Sequence, residues 1–165
     1  ADHLNHGLDL GGNPIGCRTD FCVGAALGHT ATNPDRERER FAWKIRTGID
    51  FAITQPVFDA QVLIDFLAEI EGPRPPILAG VWPLRSLRNA EFLASEVPGV
   101  EVPEPVLERM RKADEAGNAA EEGLAIARDV ICALAGLVEG YQIAAPFNKV
   151  EPAIELLKTV EEFVK

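Results

Sequence analysis

The 165 residues carry 47% apolar and 25% charged side chains, the balance of one folded domain around a single core and not of a disordered chain. A formal charge of −10 disfavours nucleic acid and anionic membrane as partners, because both need clustered cations. The longest run without Asp, Glu, Lys or Arg, between Asp20 and Asp35, holds fourteen residues, against the roughly 20 apolar residues of a membrane helix, and no Lys/Arg-led apolar stretch suggests a secretory signal.

Four short apolar runs recur, each followed by a helical pattern. The first is Phe21 to Ala26, after which Asn33-Pro34 reads as a helix cap and first helical residue. That helix is predicted to reach Thr47 and stop at Gly48, the left-handed position past a helix end. The second run is Phe51 to Thr54, followed by a helix over 59–71 whose buried stripe is Val62, Leu63, Phe66, Leu67 and Ile70. Gly72-Pro73-Arg74-Pro75-Pro76 is a turn. The third run, Ile77 to Trp82, is broken by Pro83 and leads to a helix over 87–95. A longer excursion over 97–103 then separates it from predicted helices over 104–116 and 119–135, the latter stopped by Gly136. The fourth run, Tyr141 to Ala145, ends at Pro146 and precedes a helix over 150–164.

Near-continuous apolar strands alternating with amphipathic helices predict a parallel sheet buried on both faces. The fold class is therefore α/β, and four strands suit either an open doubly wound sheet or part of a β/α barrel. No Gly-rich phosphate loop joins a strand to a helix; Gly11-Gly12-Asn13-Pro14 precedes a strand and reads as a turn. Cys17, Cys22 and Cys132 are odd in number and lack paired spacing, so reduced, mostly buried thiols and a cytoplasmic setting are expected. His3, His6 and His29 have no helical ligand spacing, and no metal site is expected.

Three strand ends carry polar groups beside a proline: Thr54-Gln55-Pro56, Trp82-Pro83-Leu84-Arg85 and Pro146-Phe147-Asn148-Lys149. In a barrel such ends gather on one rim. A buried amide without partners costs about 1–3 kcal/mol, so Gln55 at a strand end must find them. Its donor and acceptor suit a ring with adjacent amide and amine groups; the alternative is a Gln that satisfies loop carbonyls. Glu37, Arg40 and Lys44 fall within roughly 60° of arc on one helix face. Two cations beside one acid suit the phosphates and hydroxyls of a dinucleotide, or else form a solvated face of ion pairs.

At these residues the sequence resembles the methylenetetrahydrofolate reductase family, above all the reductase module that some bacterial proteins join to a homocysteine S-methyltransferase. The similar segments are DLGGNPIG (9–16), FCVGAAL (21–27), ERERFAWKIRTGIDFAITQPVFD (37–59), LAGVWPLRSLRNAEFLASEVPGVEVPEPVLERM (78–110) and IAAPFNKVEPAIELL (143–157). FAITQPVFD followed by GVWPL is the most specific of them.

The resemblance implies an eight-stranded β/α barrel of the TIM type, of which this chain is strands five to eight with their helices, as a single partial-barrel domain over 1–165. It implies FAD as cofactor and NADH or NADPH as co-substrate, with 5,10-methylenetetrahydrofolate reduced to 5-methyltetrahydrofolate in one-carbon metabolism. The family's catalytic acids belong to the first and fourth strands, so no catalytic residue is assigned here. Gln55 falls on a folate-contacting position. Lys149 falls on a basic one, and Arg85, Leu87 and Phe147 are further substrate-site candidates. Glu37, Arg40 and Lys44 fall on flavin-contacting positions, with Trp43 beside them. His29 either reaches the flavin edge or is an exposed loop imidazole; Phe147 covers the site or packs in the core. Trp82 reads as barrel core. The rival to an enzyme is a non-catalytic half-barrel that binds flavin or folate. The chain is expected to form a homo-oligomer or to associate with the remainder of the barrel.

Overall fold

The computed structural model describes residues 1–163. A short helix α1 (Asp2–Asn5) precedes β1 (Gly24–Leu27), α2 (Pro34–Arg46), β2 (Phe51–Pro56), α3 (Ala60–Ala68) and β3 (Ile77–Val81). Three helices follow, α4 (Leu87–Glu96), α5 (Glu104–Ala116) and α6 (Ala119–Leu134), then β4 (Gly140–Ile143), a 3-10 turn (Pro146–Asn148) and α7 (Glu151–Glu161). Of the predicted last helix, Val164 lies outside the described residues.

Three helix starts are fixed by side-chain acceptors for otherwise unpaired backbone donors. Asn33 accepts from the Arg36 N–H at 3.0 Å, Asp59 from the Gln61 N–H at 2.9 Å, and Ser86 from the Asn89 N–H at 3.1 Å. Helix α2 ends at the predicted Gly48, whose φ of 84° is open to glycine at little steric cost. Helix α3 stops at Ala68, short of the predicted 71, because the chain unwinds ahead of Gly72-Pro73. Leu63 and Phe66 are its buried residues, whereas Val62 is exposed: it lies about 100° around the helix from Leu63.

All strand pairs are parallel, in the order β1-β2-β3-β4. The order advances one strand at a time with no reversal, as in an arc of a β/α barrel and unlike a doubly wound sheet. Right-handed crossovers in that order put every connecting helix on the same side. Leu27, Ala52 and Ile77 accordingly pack with Phe41 of α2 and Phe66 of α3, and Ala79 packs with Leu63, Val130 and Leu134. Val81 meets Ala127, Ile131 and Leu156.

The opposite face corrects the expectation of a sheet buried on both sides. Gly24, Ala26 and Gln142 are exposed there, and Phe51, Ile53 and Leu78 are half-buried. A further apolar cluster closes the far end, where Leu84, Leu93, Val100, Val102 and Met110 join α4, α5 and the excursion before α5.

Ahead of β1, Gly11-Gly12-Asn13-Pro14 forms the predicted turn, closed by an antiparallel bridge between Leu8 and Pro14. The Asn5 carboxamide braces this segment by accepting from the Phe21 N–H and the Thr19 hydroxyl, each at 2.8 Å. The thiols depart from expectation. Cys17, Cys22 and Cys132 are free and exposed, the first two in a segment no layer covers and the third on the outer side of α6. No helix among the described residues is long and apolar enough to cross a membrane.

Candidate functional site

The rim of the sheet is shaped by one extra residue in β2. Ile53 pairs with Leu78, yet the next registered pair is Pro56 with Gly80, so three steps along β2 match two along β3. Such a bulge interrupts the ladder and re-aims the side chains that follow. The Thr54 hydroxyl repairs the interruption: it accepts from the Gly80 N–H at 2.8 Å and donates to the Gln55 carbonyl at 2.7 Å. Gly80 is needed for the close approach, since a Cβ there would meet the Thr54 and Gln55 carbonyl oxygens at 2.9 and 3.0 Å. The half-buried Gln55 side chain is thereby turned to the rim.

A groove of about 830 Å³ opens at that rim. Its floor is made by Thr54, Gln55, Trp82, Gln142 and Ala144 at the ends of β2, β3 and β4. Its walls are Ser86, Arg88, Asn89, Phe92 and Leu93 from the start and body of α4, Val97 and Val100 from the excursion, and Phe147 from the 3-10 turn. The Trp82 Nε1 is buried and has no hydrogen-bond partner. A buried indole N–H left so is an unsatisfied donor, which costs stability. This corrects the reading of Trp82 as core: its ring packs on the apolar cluster under α4 but is only half-buried, and it borders the groove.

The structure divides the proposed substrate residues. Gln55 and Phe147 line the groove, Phe147 being 70% exposed and not core, with the left-handed φ of 56° uncommon for a bulky residue. Arg85 and Lys149 instead line a separate concavity of about 300 Å³ with Glu121, Glu151 and Glu155. Leu87 is turned into the core cluster and is absent from the groove lining. Gln142, Asn89, Arg88 and Phe92 are groove residues that sequence reasoning missed. Gln142 stood between Tyr141 and Ile143 as the one polar break in its run, a signal of the same kind as Gln55.

The flavin candidates sit one strand away, beyond the end of β1. Glu37 is 5% exposed, so its carboxylate is no solvated surface acid. It is held by Arg40 at 3.1 Å, Lys44 at 3.5 Å and the Gly28 N–H at 3.3 Å. Lys44 also donates to the Ala26 carbonyl at 2.6 Å, tying α2 to β1. Arg40 and Trp43 remain largely exposed. Leu27, just before Gly28, is in register with Thr54, which sets this cluster at the same strand-end level as the groove.

His29 is the clearest departure. The imidazole is 4% exposed and its Nδ1 has no partner. Burial alone pushes its pKa down to about 4. It faces a concavity between α2 and α3 bordered by Arg38, Asp65, Glu69 and Glu101, apart from the main groove.

A parallel α/β sheet with a groove outside its strand ends is the architecture of the β/α class, in which ligand sites lie at that end of the strands. The sequence profile of methylenetetrahydrofolate reductase matches residues 18–141. The chain belongs to the methylenetetrahydrofolate reductase family. No curated protein matches it significantly. Among solved structures, one similar in fold is an uncharacterized protein from Clostridium thermocellum that binds two copies of 5-methyl-5,6,7,8-tetrahydrofolic acid. The TM-score is 0.66 at 17% identity, over 87% of this chain and 54% of that one. The chain thus spans about half of that protein's length.

Two outcomes follow from these contacts. Thr54→Val keeps the side-chain shape but strands the Gly80 N–H, and urea denaturation is expected to show a loss of about 1–3 kcal/mol; an unchanged midpoint would mean the bulge stands without the hydroxyl. For His29, the folded state resists a proton that the unfolded chain accepts, so between its usual 6.5 and about 4 the unfolded state binds more protons and stability falls as pH falls. Unfolding free energies at pH 7 and pH 4.5 are expected to differ less in His29→Phe, by an amount on the order of 2–3 kcal/mol.

Proposed function

We propose that the groove binds a reduced folate and that the chain is the folate-facing part of a flavin-dependent reductase. That enzyme reduces 5,10-methylenetetrahydrofolate to 5-methyltetrahydrofolate with NADH or NADPH. The observation that carries the reading is the groove itself: in a chain of this family, the side chains of Gln55, Gln142 and Trp82 meet at one floor at the strand ends. A pterin edge offers adjacent acceptors and donors to such groups.

FAD fits the residues beyond β1 in part. Arg40 and Trp43, three apart on α2 and both exposed, can meet a diphosphate and an adenine, Arg40 while one of its nitrogens stays paired with Glu37. Lys44 is drawn inward and contributes field more than contact. When bound, the flavin supplies the hydride relay between nicotinamide and folate. The chain's own residues bind and orient: Gln55 fixes the heterocycle, Phe147 and Val97 exclude water from it, and Glu37 holds its two cations in place. The 165 residues form one partial β/α-barrel domain in this reading, without a catalytic acid of their own.

A second reading, in which the chain works only when joined to a complementary half-barrel or a second copy, is favoured by its open surfaces. Among the described residues β1 and β4 are sheet edges, one sheet face is uncovered, and Val150, Ile154 and Leu157 are about half exposed along α7. Unpaired strand edges and apolar stripes of this kind drive association.

Titration of the purified chain with 5-methyltetrahydrofolate, read by tryptophan fluorescence, is expected to saturate, with Gln55→Ala weakening binding by about tenfold. Flavin absorbance and NADH–menadione turnover separate enzyme from binding module: flavin without turnover marks a module, and absence of both flavin and folate binding overturns the proposal. Light scattering after size exclusion is expected to give a mass above one chain; a monomer at high concentration would sink the second reading.

A further inference from the structure

Thr54 borders the groove, yet it has little to offer a ligand. It is 6% exposed, and its hydroxyl is engaged on both sides. The proton goes to the Gln55 carbonyl at 2.7 Å, and the oxygen accepts from the Gly80 N–H at 2.8 Å. A hydroxyl has a single donor, so none remains for a bound molecule. Gln55, the next residue, is half-buried and borders the same groove with a full carboxamide.

The backbone that carries Gln55 is held on three counts. Pro56 confines the residue before it to extended conformations. The Thr54 hydroxyl holds the Gln55 carbonyl. Past the inserted residue the ladder resumes with Val57, whose N–H donates to the Gly80 carbonyl at 2.9 Å. Gly80 is therefore gripped at both its polar groups, by Thr54 before the bulge and by Val57 after it. Gln55 lies in the interval, where regular pairing is suspended and a hydroxyl takes its place. Resting on the folate reading above, we propose that Thr54 is a positioning residue of the groove, whose hydroxyl sets ligand affinity without touching the ligand, by fixing the backbone that aims Gln55. Hydrogen bonds weaken steeply once distance or angle is lost, so a displaced Gln55 backbone forfeits the contact although the side chain is intact. A residue that acts only through its neighbour gives effects that do not add to the neighbour's own, whereas independent contacts add.

The test is a double-mutant cycle read by titration with 5-methyltetrahydrofolate, each variant first shown to be folded by circular dichroism. Thr54→Val is expected to weaken binding by about five- to tenfold, no more than Gln55→Ala does, and to add no loss in the Gln55→Ala background. Thr54→Ser keeps both hydrogen bonds and is expected to bind within about twofold of the unmodified chain. If Thr54→Val does not fold, Thr54→Ala leaves space for a water between Gly80 and Gln55, and its loss of affinity is expected to vanish in the same way without Gln55. Unaltered affinity in folded Thr54→Val overturns the inference and leaves the folate reading standing. So do equal losses with and without Gln55, the mark of a direct contact or a general defect, and a loss in Thr54→Ser as large as in Thr54→Val. Failure of the unmodified chain to bind the probe overturns both together.

Discussion

An inserted residue in β2 leaves the Gly80 amide facing a gap in the ladder, and the Thr54 hydroxyl fills it from the side. Because the same hydroxyl donates to the Gln55 carbonyl, it also fixes the backbone from which the Gln55 side chain departs. A regular strand would alternate sides and send Gln55 onto the face set by pleating alone. The bulge, the absent Cβ of Gly80 and the threonine hydroxyl thus act as one device. The groove floor is built around it, with Trp82 just past the end of β3 and Gln142 on β4, paired with Gly80.

The electrostatics follow a similar division of labour. An acidic chain keeps acids out of its groove and buries one, Glu37, where two cations and a backbone amide satisfy it. A buried carboxylate without those partners would cost several kcal/mol or take up a proton. The arrangement anchors α2 against the end of β1 through Lys44 and leaves Arg40 and Trp43 outside. His29 illustrates the opposite solution, a titratable group that burial holds in its neutral form, its pKa lowered to about 4.

Much of the fold was legible because its signals are local. Strand–helix alternation, the caps at Asn33 and Asp59 and the stop at Gly48 depend on a few neighbouring residues each. What was not legible depends on direction in three dimensions. Gln55 could be placed at a rim from a polar break before Pro56, and Gln142 could have been by the same logic, but no sequence pattern separates Leu87 from Arg88 without knowing how α4 is rotated. Arg85 and Lys149 sit beside the right prolines yet face another concavity. The burial of His29 and the exposure of all three cysteines are likewise set by what packs over a loop or a helix face, not by residue type.

The one-sided burial of the sheet links fold to function. Sequential parallel order sends every crossover to the same side, so the connecting helices leave the other face uncovered among the described residues. Gly24 and Ala26 are exposed on that face, and Gln142 keeps a polar group there. The groove and this uncovered face share Gln142 and the strand ends. A complementary half-barrel or second copy, as in the second reading above, would therefore also close the groove's remaining side, strengthening the hydrogen bonds within it by excluding water. In the reading proposed above, ligand affinity and assembly would be coupled through one surface: a ligand seated against Gln55 and Trp82 would stabilise the covered form, and the covered form would retain the ligand.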